Sequence, residues 1–166
     1  MSRVVDIQTV SIVVASASVV AGVVYYALQL RHQNRIRQTD LVMRLYSTYS
    51  SKEFFEAYTK FMTMEFEDFN DYKKKYAPTG FPEKPEAIAF GTVSVFFNGV
   101  GILLYMKLID FNLVARLFPT APIYTWEKMK PLVEGFRKER HPQLYAEYEY
   151  LYNEMKKRKQ EGARNG

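Results

Sequence analysis

The segment Ala87–Met106, AIAFGTVSVFFNGVGILLYM, decides what kind of protein this is. It runs twenty residues without a charge, and about 20 apolar residues suffice to cross a bilayer core of roughly 30 Å. Read as a span, it makes the chain a two-pass membrane protein. Read as a core helix, it gathers the rest of the chain around it, because a helix apolar on every side must be covered. Three features favour the core. Thr92, Ser94, Asn98 and the glycines Gly91, Gly99 and Gly101 lower its hydrophobicity. A crossing would carry Lys107, Arg116, Lys128 and Lys130 outside, against the tendency of basic residues to stay in the cytoplasm. It would also divide the remaining amphipathic helices between two compartments. We therefore read the segment as the central helix of a bundle and keep a second span as the alternative. Gly91, Ser94, Asn98 and Gly101 share one helical face, so a neighbour packs closely there. A buried Asn98 needs hydrogen-bond partners, and its expected role is structural.

Towards the N-terminus lies a longer uncharged run, Ile7–Leu30, IQTVSIVVASASVVAGVVYYALQL, followed at once by Arg31, His32, Arg35 and Arg37. As a helix its 24 residues rise about 36 Å, enough to span a membrane. A cleaved signal has a shorter apolar core and a small-residue exit, whereas this run ends in Gln29-Leu30-Arg31. The basic residues after it outnumber Arg3 before it, which directs the short N-terminus outward and the remainder into the cytoplasm. Ser11, Ala15, Ser18 and Gly22 fall on one face, where small side chains let another transmembrane helix approach. Small residues are also common in such spans without any partner.

The expected organisation follows. Residues 1–6 form a short extracytoplasmic N-terminus, 7–30 the transmembrane helix and 31–49 its helical extension. Residues 50–161 form an all-α cytoplasmic bundle, and 162–166 a disordered tail. Ser50 with Glu53 fits a capping box, opening one helix over 52–76. The segment APTGFPEKP, 77–85, is a loop. Asp110-Phe111-Asn112 opens a short helix to about Phe118. Ile123–Arg140 is helical, with Pro131 expected to kink or divide it. His141-Pro142 starts the last helix, which ends in the basic Lys156, Lys157, Arg158 and Lys159, expected as a plain solvated terminus with contact to anionic lipid as the alternative.

Composition bounds the chemistry. The absence of cysteine excludes disulfides, zinc–thiolate sites and cysteine nucleophiles. The net charge of +5 suits anionic lipid headgroups. Acids are interleaved with the bases throughout, which argues against nucleic acid. Of the two histidines, His32 sits in the basic collar of the apolar helix and His141 before a proline, a turn or capping position. Glu65, Glu67, Asp68 and Asp71 are followed by Lys73, Lys74 and Lys75, the pattern of a charge-balanced solvated face rather than a metal or acid–base pair. The glycines match no phosphate-binding loop. Arg137 and Arg140 are read as partners of Glu134, Glu147 or Glu149, with an acidic ligand as the alternative. No catalytic, cofactor or metal site is expected. Asn98, Trp126, Arg137 and Arg140 remain as polar or partner contacts.

The order of these elements, with FFNGVGILLYMKLID and TWEKMKPLVEGFRKERHPQLYAEYEYL, resembles the domain of unknown function 4760 family of small membrane-anchored proteins. The resemblance rests on Phe96, Phe97, Asp110, Trp126, Arg137 or Arg140, Pro142, Tyr145 and Glu149. Asn98 stands where relatives place a glutamate, so no obligatory carboxylate is implied there. The resemblance implies fold and topology, and no activity. The functional expectation is a single-pass interaction module of the cell membrane, an accessory or regulatory subunit without evident catalysis. Its partners would be the bilayer and another transmembrane helix, in a homo-oligomer or a larger complex. The alternatives are a membrane-associated enzyme with a helical pocket built from Trp126, Arg137, Arg140 and the acidic cluster, or a two-span protein.

Overall fold

The computed structural model describes residues 7–164, with side-chain detail for 10–161. The expected extracytoplasmic segment 1–6 and the last two residues lie outside the described residues. Seven helices and no strand occur among the described residues: α1 (Ile7–Tyr49), α2 (Lys52–Thr63), α3 (Phe69–Tyr76), α4 (Pro85–Tyr105), α5 (Phe111–Leu117), α6 (Ala121–Glu139) and α7 (Ala146–Arg164). The protein is all-α, a long apolar N-terminal helix followed by a helical bundle. The chain divides into two compact units, Met1–Asp40 and Leu41–Gly166.

In the first unit α1 exposes Val13, Val20, Tyr25 and Leu28. Its hydroxyls turn inward to their own helix, with Ser16 and Ser18 donating to the carbonyls of Ile12 and Val14 at 2.8 and 2.9 Å. In a medium without water this is how a serine satisfies itself. The last turns of α1 belong to the second unit, since Val42 is fully buried and Tyr49 packs on Phe54, Phe97 and Phe118. The bundle therefore begins at Leu41, nine residues before the expected boundary at 50.

In the second unit α4 is the central helix. Nine of its residues are buried, from Ala87 to Leu104, and α2 and α7 pack along it. Phe96 and Phe97 draw α1, α2 and α5 together, with ring centroids 4.6–6.4 Å from Tyr49, Phe54 and Phe118. Phe69 of α3 fits against α6 where Gly135 leaves room. A Cβ there would lie 2.2 Å from the Phe69 ring.

Several boundaries differ from the expected ones. Ser51, not Ser50, caps α2. Its extended backbone lets Oγ accept from the Phe54 N–H at 3.1 Å, while the Ser50 N–H still bonds back to Tyr46. The expected helix over 52–76 is two helices. Met64 leaves helical geometry, and the carboxylate of Asp68 caps the second helix by accepting from the Asp71 N–H at 2.8 Å. Pro131 lies inside α6 without dividing it. The last helix starts at Ala146, four residues after Pro142. Tyr145 takes a positive φ of 58° before it, and His141 Nδ1 accepts from the Gln143 N–H. It runs to Arg164, so residues 162–164 of the expected disordered tail are helical. Its basic end is exposed at Lys156, Lys157 and Lys159, as expected, and makes surface contacts. Lys156 reaches Glu127, Arg158 donates to Asn112, and Lys159 lies over Tyr124.

The buried phenols make the second unit sensitive to alkali. Burial pushes the Tyr72 hydroxyl up to about 12, and desolvation raises Tyr145 and Tyr148 as well. These groups stabilise the fold fully below pH 10, the ordinary tyrosine value, and that contribution disappears as pH rises through the folded values. For Tyr72 alone the difference amounts to about 2–3 kcal/mol. A pH titration followed by tyrosinate absorbance should show a late class of tyrosines ionising near pH 12 together with loss of buried-Trp126 fluorescence. Ionisation of every tyrosine near pH 10 with the fluorescence unchanged would contradict this.

Candidate functional site

Asn98, Trp126 and Arg137 meet around the start of α7. The first N–H groups of a helix lack intrahelical acceptors, and a positive φ at Tyr145 leaves α7 without an ordinary capping residue. Asn98, projecting from α4, supplies the missing acceptor. Its Oδ1 takes the Tyr148 N–H at 3.1 Å. Gly101, one turn further along α4, lets the two backbones approach so closely that a Cβ would stand 2.1 Å from the Glu147 carbonyl oxygen. The close-packed face expected from the sequence is real at Ser94, Asn98 and Gly101. Gly91 has open space beside it.

Arg137 closes the same junction from α6. Its Nε donates to the Leu144 carbonyl at 2.9 Å and its guanidinium pairs with Glu149 at 2.8 Å. This is one of the pairings expected from the sequence. The Trp126 ring, 2% exposed, packs 5.0 Å from Tyr148 and lies 6.0 Å from the Arg137 guanidinium carbon. The Tyr148 N–H, the Leu144 carbonyl and the Arg137–Glu149 pair are all engaged within the bundle, so the junction holds helices together.

Arg140 goes elsewhere. It extends over the Phe136 ring at 5.3 Å and donates to the Gly80 carbonyl of the loop before α4. There it lines a cavity of about 190 Å³ with Tyr72, Phe90, Phe136 and Tyr145. The acidic cluster lies on neither feature. Asp68 and Asp71 serve the start of α3, where Asp71 accepts from the Glu67 N–H and pairs with Lys75 at 2.7 Å. The Lys75 hydrogen bond, and then the Glu67 N–H, hold the Asp71 carboxyl below the usual range. Trp126, Arg137, Arg140 and the acids thus do not converge on one pocket.

The sequence did not single out Lys128. Its Nζ donates to the carbonyls of Met62 and Met64, both at 2.7 Å, closing the C-terminal end of α2. Desolvation pulls its pKa down. A lone lysine on a mixed helix face gives no sign of this, because its acceptors lie 64 and 66 residues away. That Tyr72, Gly91 and Tyr145 line one cavity was not visible for the same reason, since they lie far apart in the chain.

A family model described as a domain of unknown function, DUF4760, matches residues 13–155. The chain belongs to that family. No curated protein and no solved structure matches it. The DUF4760 match begins inside α1 and ends in α7, so it takes in most of the apolar helix together with the bundle. Within this DUF4760 chain Ser18 and Gly22 are exposed on α1, and nothing in the structure lies within 4 Å of a Cβ built at Gly22.

Proposed function

We propose that this DUF4760 chain is a single-pass membrane protein whose helical bundle works in the cytoplasm by contact with other proteins. One observation carries the reading. Two described helices are long and apolar enough to cross a membrane, and the apolar window of α1 is 0% buried while that of α4 is 50% buried. An uncovered apolar helix of that length needs lipid. Inclusion of α1 in the family match from residue 13 supports an anchor that belongs to the working protein rather than a removable leader.

The neighbours of α4 argue against a second crossing. The helices that pack on it, α2 and α7, carry Lys52, Glu53, Glu56 and Lys60, and Glu147, Glu149, Lys156 and Lys157. Placing such side chains at bilayer depth costs about 2.5–3.5 kcal/mol each even on the mildest scale. The exposed stripe Ile88, Val95 and Ile102 is the feature that favours the two-span reading. The basic collar Arg31, Arg35 and Arg37 favours a cytoplasmic bundle. The exposed small-residue face of α1, Ser11, Ala15, Ser18 and Gly22, is the surface we assign to a second transmembrane helix, in a homo-oligomer or a larger complex.

The absence of native cysteine makes the test direct. Lys60→Cys and Lys107→Cys variants, both at exposed positions flanking α4, should stay in alkali-washed membranes. Both should resist a membrane-impermeant maleimide in intact cells and react after lysis. Labelling of Lys107→Cys alone would establish two spans, and release by alkali would remove the anchor. Purification of the same membranes in mild detergent should recover a homo-oligomer or a second membrane protein, which Gly22→Leu should release. A monomer with nothing co-purifying ends the contact reading.

A further inference from the structure

We propose that the cavity between α3, α4 and α6 binds a small apolar carboxylate, an aryl- or alkylcarboxylic acid of about ten non-hydrogen atoms, with Arg140 pairing its anionic end. The size follows from the volume. The cavity holds about 190 Å³, and a cavity of about 150 Å³ lined by apolar side chains takes up a benzene ring. The body of the ligand follows from the walls. Tyr72, Phe90, Phe136 and Tyr145 present ring faces and edges at centroid spacings of 5.7–6.4 Å around the space, and no acidic residue lines it. Such a lining accepts a flat or short-chain apolar group.

The charged end follows from Arg140. Its guanidinium rests on Phe136, and one nitrogen is held by the Gly80 carbonyl. Gly80, at φ 85°, turns the loop so that this carbonyl meets it. The neighbouring acid, Glu139, is taken by Lys73. No ion pair of Arg140 occurs among the described residues, in contrast to Arg137 with Glu149. A guanidinium has five N–H donors in a planar fork that matches a carboxylate, so donors remain for a ligand. A single cation beside aromatic walls suits a monoanion with an apolar body better than a phosphate, which gathers several donors. Tyr72 and Tyr145 stay protonated at neutral pH, their hydroxyls raised by burial and only partly lowered by the Arg140 charge. They therefore add no negative charge to the site.

Gly91 supplies the test. It lines the cavity, and a Cβ built on it meets nothing within 4 Å. Gly91→Leu should place its side chain in that open space at the cavity wall without displacing backbone, and a helix interior accepts leucine better than glycine. The full chain reconstituted in lipid nanodiscs would be titrated with 4-fluorophenylacetate and followed by fluorine NMR, with empty discs as the blank. Wild type should bind saturably. Arg140→Gln should weaken binding about tenfold or more, and Gly91→Leu should abolish it, each with Trp126 fluorescence unchanged. Neutral 4-fluorobenzyl alcohol should bind at least about tenfold more weakly than the acid. Absence of wild-type binding above the blank would overturn the proposal. So would equal affinity for acid and alcohol, or binding that survives Gly91→Leu.

Discussion

Gly101→Ala should destabilise the bundle by about 3 kcal/mol or more, whereas Gly99→Ala, two residues away, should stabilise it by roughly 0.5–1 kcal/mol. The same methyl group meets opposite surroundings. At Gly101 it would stand 2.1 Å from the Glu147 carbonyl oxygen and 2.5 Å from its carbon. Both are backbone atoms and cannot rotate aside. To admit the methyl, α7 must move off α4. That movement also stretches the 3.1 Å bond from the Tyr148 N–H to Asn98 and opens the Phe97–Tyr148 ring contact at 5.4 Å. At Gly99 nothing lies within 4 Å, so the helix simply exchanges its least favourable interior residue for its best. The measurement is denaturant unfolding of the full chain in detergent, followed by fluorescence of the single tryptophan, which lies in the bundle. Equal stability of the two variants would refute the close approach of α4 and α7.

The sequence made that approach visible as a face without saying which glycine mattered. Gly91, Ser94, Asn98 and Gly101 share a stripe, and Asn98 among them announces a buried hydrogen bond. Only the start of α7 decides that the contact centres on Asn98 and Gly101. The all-α fold, the central helix at 85–105 and the helix across the basic collar were legible because uncharged length and periodicity are local signals. The break at Met64–Asp68 was not, since it contains neither proline nor glycine. Its one clue is Asp68 three residues before Asp71, a capping spacing set within the exposed, charge-balanced face that the sequence does show. Pairing of Arg137 was legible only as a short list, Glu134, Glu147 or Glu149, from which the structure selects Glu149. The cavity at Arg140 could not be found that way. Its walls come from positions between 72 and 145, brought together only by the tertiary fold. The positive φ at Tyr145 carries no glycine or asparagine to announce it.

Trp126→Ala should cost about 3–5 kcal/mol, a large part of the 5–15 kcal/mol that stabilises an ordinary domain. The ring is 2% exposed and sits on α6 facing α7, 5.0 Å from Tyr148 and 6.0 Å from Tyr152. Removing it leaves a void beneath Tyr148, whose hydroxyl donates to the Pro122 carbonyl and whose N–H is held by Asn98. The neighbours cannot collapse into that void, because both ends of Tyr148 are fixed by hydrogen bonds and Gly101 already sets α7 against α4 at minimum distance. The cavity term should therefore lie near the upper end of its range. Trp126→Phe should recover much of the loss by restoring an aromatic partner for Tyr148. Since both variants lack the fluorophore, protease resistance of the bundle in the full chain provides the readout. If Trp126→Ala is cleaved no faster than wild type, Trp126 is not a keystone of the α6–α7 contact, and its place in the family pattern would need an explanation outside the core.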